Sequence, residues 1–240
     1  MVTWNCCMGT DRKMPSMLER LRPDIAVVPE SSRSPQLAVA SLLAPAISHA
    51  WTGSYDNKGL GIFAPSASRM VVHPPAVQST ATAYALAVEV ELDDHLVKVL
   101  GIWTKPARTG TWATPYMDAF ATILHEYDGF VDDSTIVAGD VNCSAQTSPE
   151  AFPRLLDEVR ERLGLRSAYH GHTGEAPGEE SAMTLWWRNK EDSGFHCDVV
   201  LVPESWDIRA VTVGSHSEWG APGAVARSDH APVIVDLAWD

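Results

Sequence analysis

The sequence predicts one α/β domain of the α+β type, spanning residues 1–240 and built on mixed β-sheets. Its composition is that of a globular protein, with 45% hydrophobic and 20% charged residues, which excludes a collagen, a coiled coil or a wholly disordered chain. Helical and strand patterns alternate near both ends of the chain, whereas consecutive strand patterns fill its middle. A chain of 240 residues suits one large domain or two small ones, and one core of this size is feasible.

The first part of the chain alternates strands with helices. Residues 2–6 form a short apolar strand, and residues 14–21 have helical spacing of apolar side chains that ends before Pro23. Residues 24–29 contain the continuous apolar run IAVV, which is typical of a strand buried on both faces. Residues 35–47 are expected to form a second helix.

The middle of the chain is rich in strands. Short β-branched or alternating runs are separated by turn residues, and they lie at 59–64, 69–72, 83–92 and 96–103. The last two of these runs are expected to form a hairpin that turns at residues 93 and 94.

The second half of the chain returns to mixed elements. We expect helices at 115–127 and 152–163, a buried strand between them at 134–139, and a polar, glycine-rich loop at 170–181. Four further strands are expected towards the end of the chain, at 184–187, 198–202, 208–213 and 233–237.

The charge of the chain is unevenly distributed. Residues 1–120 carry 10 acidic and 10 basic side chains, whereas residues 121–240 carry 21 acidic and 8 basic ones and hold the whole net charge of −13. Proteins that grip many phosphates of a duplex have a basic surface, because phosphate neutralisation supplies most of that affinity. Long, non-specific nucleic-acid binding is therefore disfavoured, but a short or small phosphorylated ligand or a metal cation is not.

The four cysteines are Cys6, Cys7, Cys143 and Cys197, and no pair has CxxC spacing. A chain of this length needs no disulfides, so we expect reduced thiols in a cytoplasmic protein. They are either small apolar fillers of strands or a thiolate metal site or nucleophile. The first residues resemble no signal peptide, and no apolar run is long enough to cross a membrane.

Polar residues stand where the predicted buried strands begin or end. A rigid strand fixes such a side chain while its tip reaches a cleft. Each one alone could be a turn former, a helix cap or a surface residue. If they converge, three or four carboxylates share one cleft and need a hard divalent cation such as Mg²⁺ or Mn²⁺, with the histidine as acid–base group. The set is Asn5, Glu30, Asp140, Asn142, Asp198, Asp229 and His230.

An ordered series of short motifs resembles the endonuclease/exonuclease/phosphatase superfamily, which includes DNase I-like nucleases and abasic-site endonucleases. The motifs are WNCCMG, DIAVVPE, GLGIFAP, TIVAGDVN, CDVVLVP and RSDHAP, and the resemblance covers nearly the whole chain, from Asn5 to Asp236. The resemblance implies a four-layer α/β sandwich in which two mixed β-sheets pack face to face with helices outside (DNase I-like). It also implies a metal-dependent phosphoric ester hydrolase.

The resemblance implies a metal site at three residues. Glu30 would be the principal ligand of Mg²⁺, with Mn²⁺ as an alternative, and Asn5 would lie beside it. Asp229 would lie in or next to the metal shell.

The resemblance also implies catalytic roles for four residues in an in-line attack of water on phosphorus. Asp140 would orient or deprotonate the water, and Asn142 would hold a phosphate oxygen. His230 would pair with Asp198 and act as a general base or as a donor to the phosphate.

The substrate side departs from the family pattern. The middle strand ends in GIWTKP, with Trp103 where relatives have His or Tyr, and Cys197 precedes the strand aspartate. Aromatic and basic side chains in the nearby loops are the candidates for contacting an anionic substrate, and stacking on a base is typical of single-strand binders. Besides Asn142, they are Trp103, Lys105, Arg108, Trp187 and Arg188.

The predicted function is hydrolysis of a phosphodiester, in the first place by a nuclease that acts on short or single-stranded DNA or RNA. The first alternative is a phosphatase or phosphodiesterase for a small metabolite or head group. The second alternative is a scaffold with other chemistry or a binding role. No membrane and no obligate protein partner are expected.

Overall fold

The computed structural model describes residues 1–33, 48–65, 67, 69–92, 95–105 and 114–238. Its strands are β1 Val2–Thr3, β2 Ala26–Ser31, β3 Ser48–Tyr55, β4 Lys58–Ala64, β5 Arg69–His73, β6 Ala85–Leu92, β7 His95–Trp103, β8 Thr135–Asp140, β9 Leu165–Ser167, β10 Leu185–Trp186, β11 Gly194–Phe195, β12 Asp198–Pro203, β13 Asp207–Val213 and β14 Val233–Ala238. Its α-helices are α1 Thr10–Leu21, α2 Thr114–Glu126, α3 Ala151–Leu163, α4 Ala168–Thr173 and α5 His216–Trp219. None of these helices is long and apolar enough to cross a membrane.

Within the described residues, two six-stranded mixed sheets form the framework. The first sheet has the order β13-β14-β1-β2-β4-β3, and the second has the order β5-β6-β7-β8-β12-β9. Each contains one parallel pair, β1 with β2 and β7 with β8, among antiparallel neighbours. Strands β10 and β11 form a separate two-stranded ribbon.

The sheets pack face to face over a buried aliphatic core. Val27 and Ile62 of the first sheet belong to the same cluster as Val88 and Val99 of the second. Gly101 of β7 permits this close approach, because a Cβ atom there would lie 3.0 Å from Ile62 and 3.2 Å from Val27. The continuous apolar runs that predicted buried strands therefore meet in the interior.

Helices cover both outer faces of the sandwich. On the second sheet, Phe120 of α2 and Phe152 of α3 pack in one buried cluster. On the first sheet, Met14 and Met17 of α1 pack with Trp219 of α5 in another. The layers are thus helix, sheet, sheet and helix, which confirms the predicted four-layer α/β sandwich with two mixed sheets.

The differences from prediction lie in polar or short segments. Strand β3 was not predicted, because an edge strand with partly exposed side chains shows no continuous apolar run. Helix α4 lies partly within the expected loop 170–181, where Ser167 caps it by accepting from the His170 backbone N–H. The predicted strand 184–187 is shorter, since Trp187–Asn189 form a 3₁₀ turn. The predicted helix 35–47 and the turn at 93 and 94 lie outside the described residues.

Candidate active site

The strand topology gathers the predicted polar residues at one end of the sandwich. Strand β1 runs parallel to β2, so Asn5, just after β1, and Glu30, near the end of β2, lie at the same end of these strands. Strand β14 runs antiparallel to β1, so His230, which precedes β14, lies at that end as well. In the second sheet, β8 ends at Asp140 directly opposite Asp198, the first residue of β12.

A buried set of polar contacts joins these residues across the two sheets. His230 Nδ1 lies 2.8 Å from Asp198 Oδ2, and Asn5 Nδ2 donates to Asp140 Oδ2 at 2.9 Å. The second imidazole nitrogen of His230, Nε2, lies 3.9 Å from the same Asp140 oxygen. Since all four side chains are buried, these contacts act in a medium of low dielectric. One imidazole therefore stands between two carboxylates, which suits an oriented acid–base group.

Burial and neighbouring charges together raise the pKa values of two members of this network, Asp140 and His230. Burial and, to a smaller extent, the charge of Asp198 raise the pKa of Asp140, the charge of His230 and the hydrogen bond from Asn5 lower it, and the net result is a pKa of about 7. Burial alone would lower the pKa of His230, but the charges of Asp198 and Asp140 and the hydrogen bond to Asp198 raise it to about 10. At neutral pH the imidazole is therefore cationic, and Asp140 is poised to gain or lose a proton.

Two hydroxyl side chains that the sequence analysis missed hold this network in place. Ser228 Oγ donates to the Asn5 backbone carbonyl at 2.7 Å and accepts from the His230 backbone N–H at 3.1 Å. Thr184 Oγ1 accepts from the Asp198 backbone N–H at 3.0 Å. Ser228 lies within the motif RSDHAP, so its position was a usable signal. Thr184 contacts the site only through tertiary structure, and nothing in the sequence marks it.

Three non-glycine residues of the site have left-handed backbone conformations. Their φ angles are 48° at Cys7, 59° at Glu30 and 49° at Asn142. Such conformations cost about 1–3 kcal/mol each and are concentrated at functional sites. At Glu30 a register shift between Pro29 and Ser31 interrupts the pairing of β2 with β4, and a bulge of this kind re-aims a side chain. Asn142 is fixed by its backbone N–H, which donates to Asp140 Oδ1 at 2.9 Å.

A cleft of about 510 Å³ lies beside the network, and both Glu30 and Asn142 line it. Lys58 Nζ lies 3.0 Å from Glu30 Oε2. Lys105 Nζ lies 4.0 Å from the centre of the Trp103 ring, a cation–π contact. Trp103 is only 3% exposed, so it supports Lys105 and does not offer a free stacking face. The cleft thus places two ammonium groups beside the candidate site.

The oxygen donors expected to hold a metal lie around Cys7. Burial, together with the charge and hydrogen bond of Asp229 and the charge of Glu30, raises the pKa of the Cys7 thiol to about 11. Asn5 Oδ1 accepts from the Cys7 backbone N–H at 2.9 Å and keeps a second lone pair. The carboxylates of Glu30 and Asp229 and the amide oxygen of Asn5 are the oxygen type that Mg²⁺ prefers.

A second group of possible metal ligands lies deeper in the site. Among the described residues, the potential ligand atoms of Asp140, Cys197, Asp198 and His230 all lie within 4.8 Å of one another, and all four residues are buried. Its sulfur and nitrogen donors suit Mg²⁺ poorly. The two groups therefore differ in donor chemistry.

The remaining predicted substrate residues lie at the rim of a second pocket or outside the described residues. Trp187 is 46% exposed and lines an apolar pocket of about 310 Å³ that also borders Asn142. Arg188 is exposed beside it and has a φ of 57°. Arg108 lies outside the described residues.

All four cysteines are free. Cys6, Cys143 and Cys197 are buried, as expected of small apolar fillers. Burial raises the pKa of the Cys6 thiol to about 12 and that of Cys197 well above its usual value.

Comparison with known proteins identifies the fold of the chain. No family model and no curated protein sequence matches the chain. Solved structures do match over nearly the whole chain. An AP endonuclease from Archaeoglobus fulgidus is 16% identical with a TM-score of 0.71, covering 98% of each chain. The chain has the endonuclease/exonuclease/phosphatase (DNase I-like) fold.

Two further structures of this fold contain DNA. The 3′ phosphatase NExo from Neisseria, bound to a product DNA hairpin, is 19% identical with a TM-score of 0.68, covering 99% of this chain and 98% of that one. TDP2 from D. rerio, complexed with single-strand DNA product, is 14% identical with a TM-score of 0.68 and the same coverage. The resemblance in the sequence is thus confirmed at the level of the fold.

Proposed function

We propose that this protein is a divalent-metal-dependent phosphoesterase that hydrolyses a phosphodiester of DNA or RNA by in-line attack of water. The observation that carries the proposal is the buried network of His230 between Asp198 and Asp140, next to a cleft that contains Glu30. The fold is one whose solved members include an AP endonuclease and a 3′ phosphatase.

The pKa values divide the proton chemistry between two side chains. Asp140, with a pKa of about 7, orients the attacking water and accepts its proton, which is efficient when the pKa of the base lies near the working pH. His230, with a pKa of about 10, remains protonated and donates from Nε2 to a phosphoryl oxygen. Of the two roles that the sequence left open for His230, the charge distribution favours the donor.

Asn142 binds the phosphate in this proposal. Its Nδ2 donates to the Thr104 backbone carbonyl over a long 3.3 Å, and a phosphate oxygen is a stronger acceptor than a carbonyl. Asn142 has a left-handed backbone conformation and lines both pockets, so a phosphate in either pocket lies near its side chain.

Glu30, with Asp229 and Asn5 Oδ1, would hold the cation, for which Mg²⁺ is proposed and Mn²⁺ is the alternative. When bound, such a cation supplies neutralisation of the charge that develops on the phosphoryl oxygens.

The charge pattern favours a short or single-stranded substrate. The net charge of −13 opposes long duplex DNA, whereas Lys58 and Lys105 place positive charge inside the cleft. Trp187, which is 46% exposed and lines the apolar pocket, would stack on an unpaired base, and Arg188 would contact the nucleic-acid backbone. The two ammonium groups in the cleft also suit a small phosphorylated metabolite or head group, which is the second candidate substrate.

The test combines two substrates and two variants. With Mg²⁺, the wild-type protein should hydrolyse bis-p-nitrophenyl phosphate and nick a supercoiled plasmid. Glu30→Ala should abolish both activities, whereas the control Glu158→Ala, which removes an exposed carboxylate of α3, should not. Turnover of small phosphoesters with an intact plasmid would favour a small phosphorylated metabolite or head group as the substrate. No turnover of any phosphoester by the wild type would refute the proposed activity.

A further inference from the structure

The hydrolysis proposed above makes no use of Cys197, although this thiol lies inside the catalytic network. Cys197 immediately precedes Asp198, and its Sγ lies 3.9 Å from Asp198 Oδ2. The Cys197 backbone N–H donates to Thr184 Oγ1 at 3.0 Å, which fixes its position at the start of β12. A soft sulfur donor is thus held against one carboxylate oxygen of the network.

The network also contains an acceptor that its internal contacts do not satisfy. Asp198 is fully buried, and its Oδ1 has no hydrogen-bond partner among the described residues. A buried carboxylate oxygen without a partner is costly. A cation at this position would satisfy it.

We propose that Asp140, Cys197, Asp198 and His230 form a binding site for Zn²⁺, separate from the Mg²⁺ site proposed at Glu30. One thiolate, one imidazole and carboxylate oxygens are the donors of tetrahedral zinc sites, and thiolate does not suit Mg²⁺. The potential ligand atoms lie within 4.8 Å of one another. With zinc–ligand bonds of about 2.0–2.3 Å, ligand atoms stand roughly 3.3–3.8 Å apart, so the group needs to contract by only about 1 Å.

The site has a route from the surface. Cys197 lines the apolar pocket of about 310 Å³, together with Cys143 and the exposed Trp187. A cation entering this pocket reaches the Cys197 sulfur without passing Glu30, which lines the other cleft. Binding forms a zinc–sulfur bond and a zinc–nitrogen bond, and the protons of the thiol and of the imidazole nitrogen leave to solvent.

Occupation of this site would inhibit hydrolysis. Zn²⁺ would take the same atoms of Asp140 and His230 that handle the water proton and the phosphoryl oxygen. The inhibitory consequence rests on the proposed function, whereas the binding itself does not. Zn²⁺ would therefore inhibit even when Mg²⁺ is bound at Glu30.

Binding is tested on the whole protein without any activity assay. Zn²⁺ affinity is measured by competition with a chromophoric chelator, and Co²⁺ serves as a spectroscopic probe of sulfur ligation. The wild type should bind one Zn²⁺ and show a sulfur-to-cobalt charge-transfer band. Cys197→Ser should lose the band and weaken Zn²⁺ binding at least about tenfold, since even outer-shell changes cost about 10–100-fold.

Two matched thiol variants separate this site from its neighbours. Cys143→Ser changes the other buried thiol of the pocket, and Cys7→Ser changes the thiol beside Asp229 and Glu30. Both should keep the band and the affinity. Loss of the band in Cys7→Ser but not in Cys197→Ser would overturn the proposal, as would unchanged Zn²⁺ binding by Cys197→Ser.

A second measurement guards against a misfolded variant. If circular dichroism shows that Cys197→Ser does not fold, the wild-type Co²⁺ spectrum decides: no charge-transfer band overturns the proposal, and a band that persists in Cys7→Ser and Cys143→Ser supports it. Zn²⁺ should also inhibit Mg²⁺-dependent turnover, with inhibition relieved in a folded Cys197→Ser. If the protein binds Zn²⁺ in this way but hydrolyses no phosphoester, the zinc site is supported and only the proposed hydrolysis is refuted.

Discussion

Replacing Asp198 by asparagine removes one negative charge from the buried network and keeps the shape of the side chain. Asp198 Oδ2 lies 2.8 Å from His230 Nδ1, and among the effects that raise the pKa of His230 the charge of Asp198 is the largest. We therefore expect Asp198→Asn to lower this pKa and to disorder the imidazole. Both effects weaken donation from His230 Nε2 to the phosphoryl oxygen.

The magnitude follows from the contact distance. An opposite charge this close raises a pKa by about 1–3, so the variant should bring the pKa of His230 down from about 10 to about 7–9. The wild-type kcat/KM should rise through pH about 7 as Asp140 loses its proton, and fall through pH about 10 as His230 loses its own. In Asp198→Asn the alkaline fall should begin about 1–3 pH units lower, and kcat should drop by about 10²–10⁴.

The assay is kcat/KM for bis-p-nitrophenyl phosphate between pH 5.5 and 10.5 at saturating Mg²⁺, supported by an NMR titration of the histidine side chains. Asp207→Asn on the exposed part of β13 is the matched control and should behave as the wild type. If Asp198→Asn changes neither the alkaline fall of kcat/KM nor kcat, the assigned role of the His230–Asp198 pair is refuted.

Three further predictions concern Mg²⁺ binding at Glu30, the packing of the two sheets at Gly101, and the hydrogen bonds of Asp132 in a surface turn. Lys58→Met should tighten Mg²⁺ binding about 2–5-fold by removing the competing ammonium at Glu30, measured by titration calorimetry; weaker binding would contradict the proposed site. Gly101→Val should lower the free energy of unfolding by about 1–3 kcal/mol in urea, because β7 touches the facing sheet there; an unchanged midpoint would contradict the packing. Burial alone would raise the pKa of Asp132, but hydrogen bonds from Lys98 and the following turn lower it to about 2. Asp132→Ala should therefore cost about 1 kcal/mol at pH 7, a difference that fades as pH falls from about 4 towards 2; a constant difference would exclude the charge as its cause.

The fold was predictable where strands are buried on both faces. Strands β8 and β12 are buried throughout, and their sequences are continuous apolar runs with an aspartate at one end, the last residue of TIVAGD and the first residue of DVVLVP. Strand β3, with the sequence SHAWTGSY, is an edge strand with exposed positions. The sequence pattern does not predict β3, because its side chains are constrained by only one neighbouring strand and by packing on only one face.

The residues of the candidate site were predictable from their places at strand ends, and the family resemblance implied the pairing of His230 with Asp198 that the structure contains, but the other contacts of the site were not predictable. That Asp140 stands opposite Asp198 follows from the antiparallel register of β8 and β12, which no local pattern encodes. Thr184 and Ser228 likewise act through contacts made only in the folded chain. The left-handed conformation of Glu30 depends on a bulge against β4 and has no signature of its own.

The most direct test of the central claim is anomalous diffraction from crystals soaked in Mn²⁺. We expect an anomalous peak at bonding distance from the Glu30 carboxylate, with His230 still paired to Asp198. A crystal in which Mn²⁺ binds elsewhere, or in which the Glu30 carboxylate stays bound to Lys58 alone at saturating Mn²⁺, would contradict it.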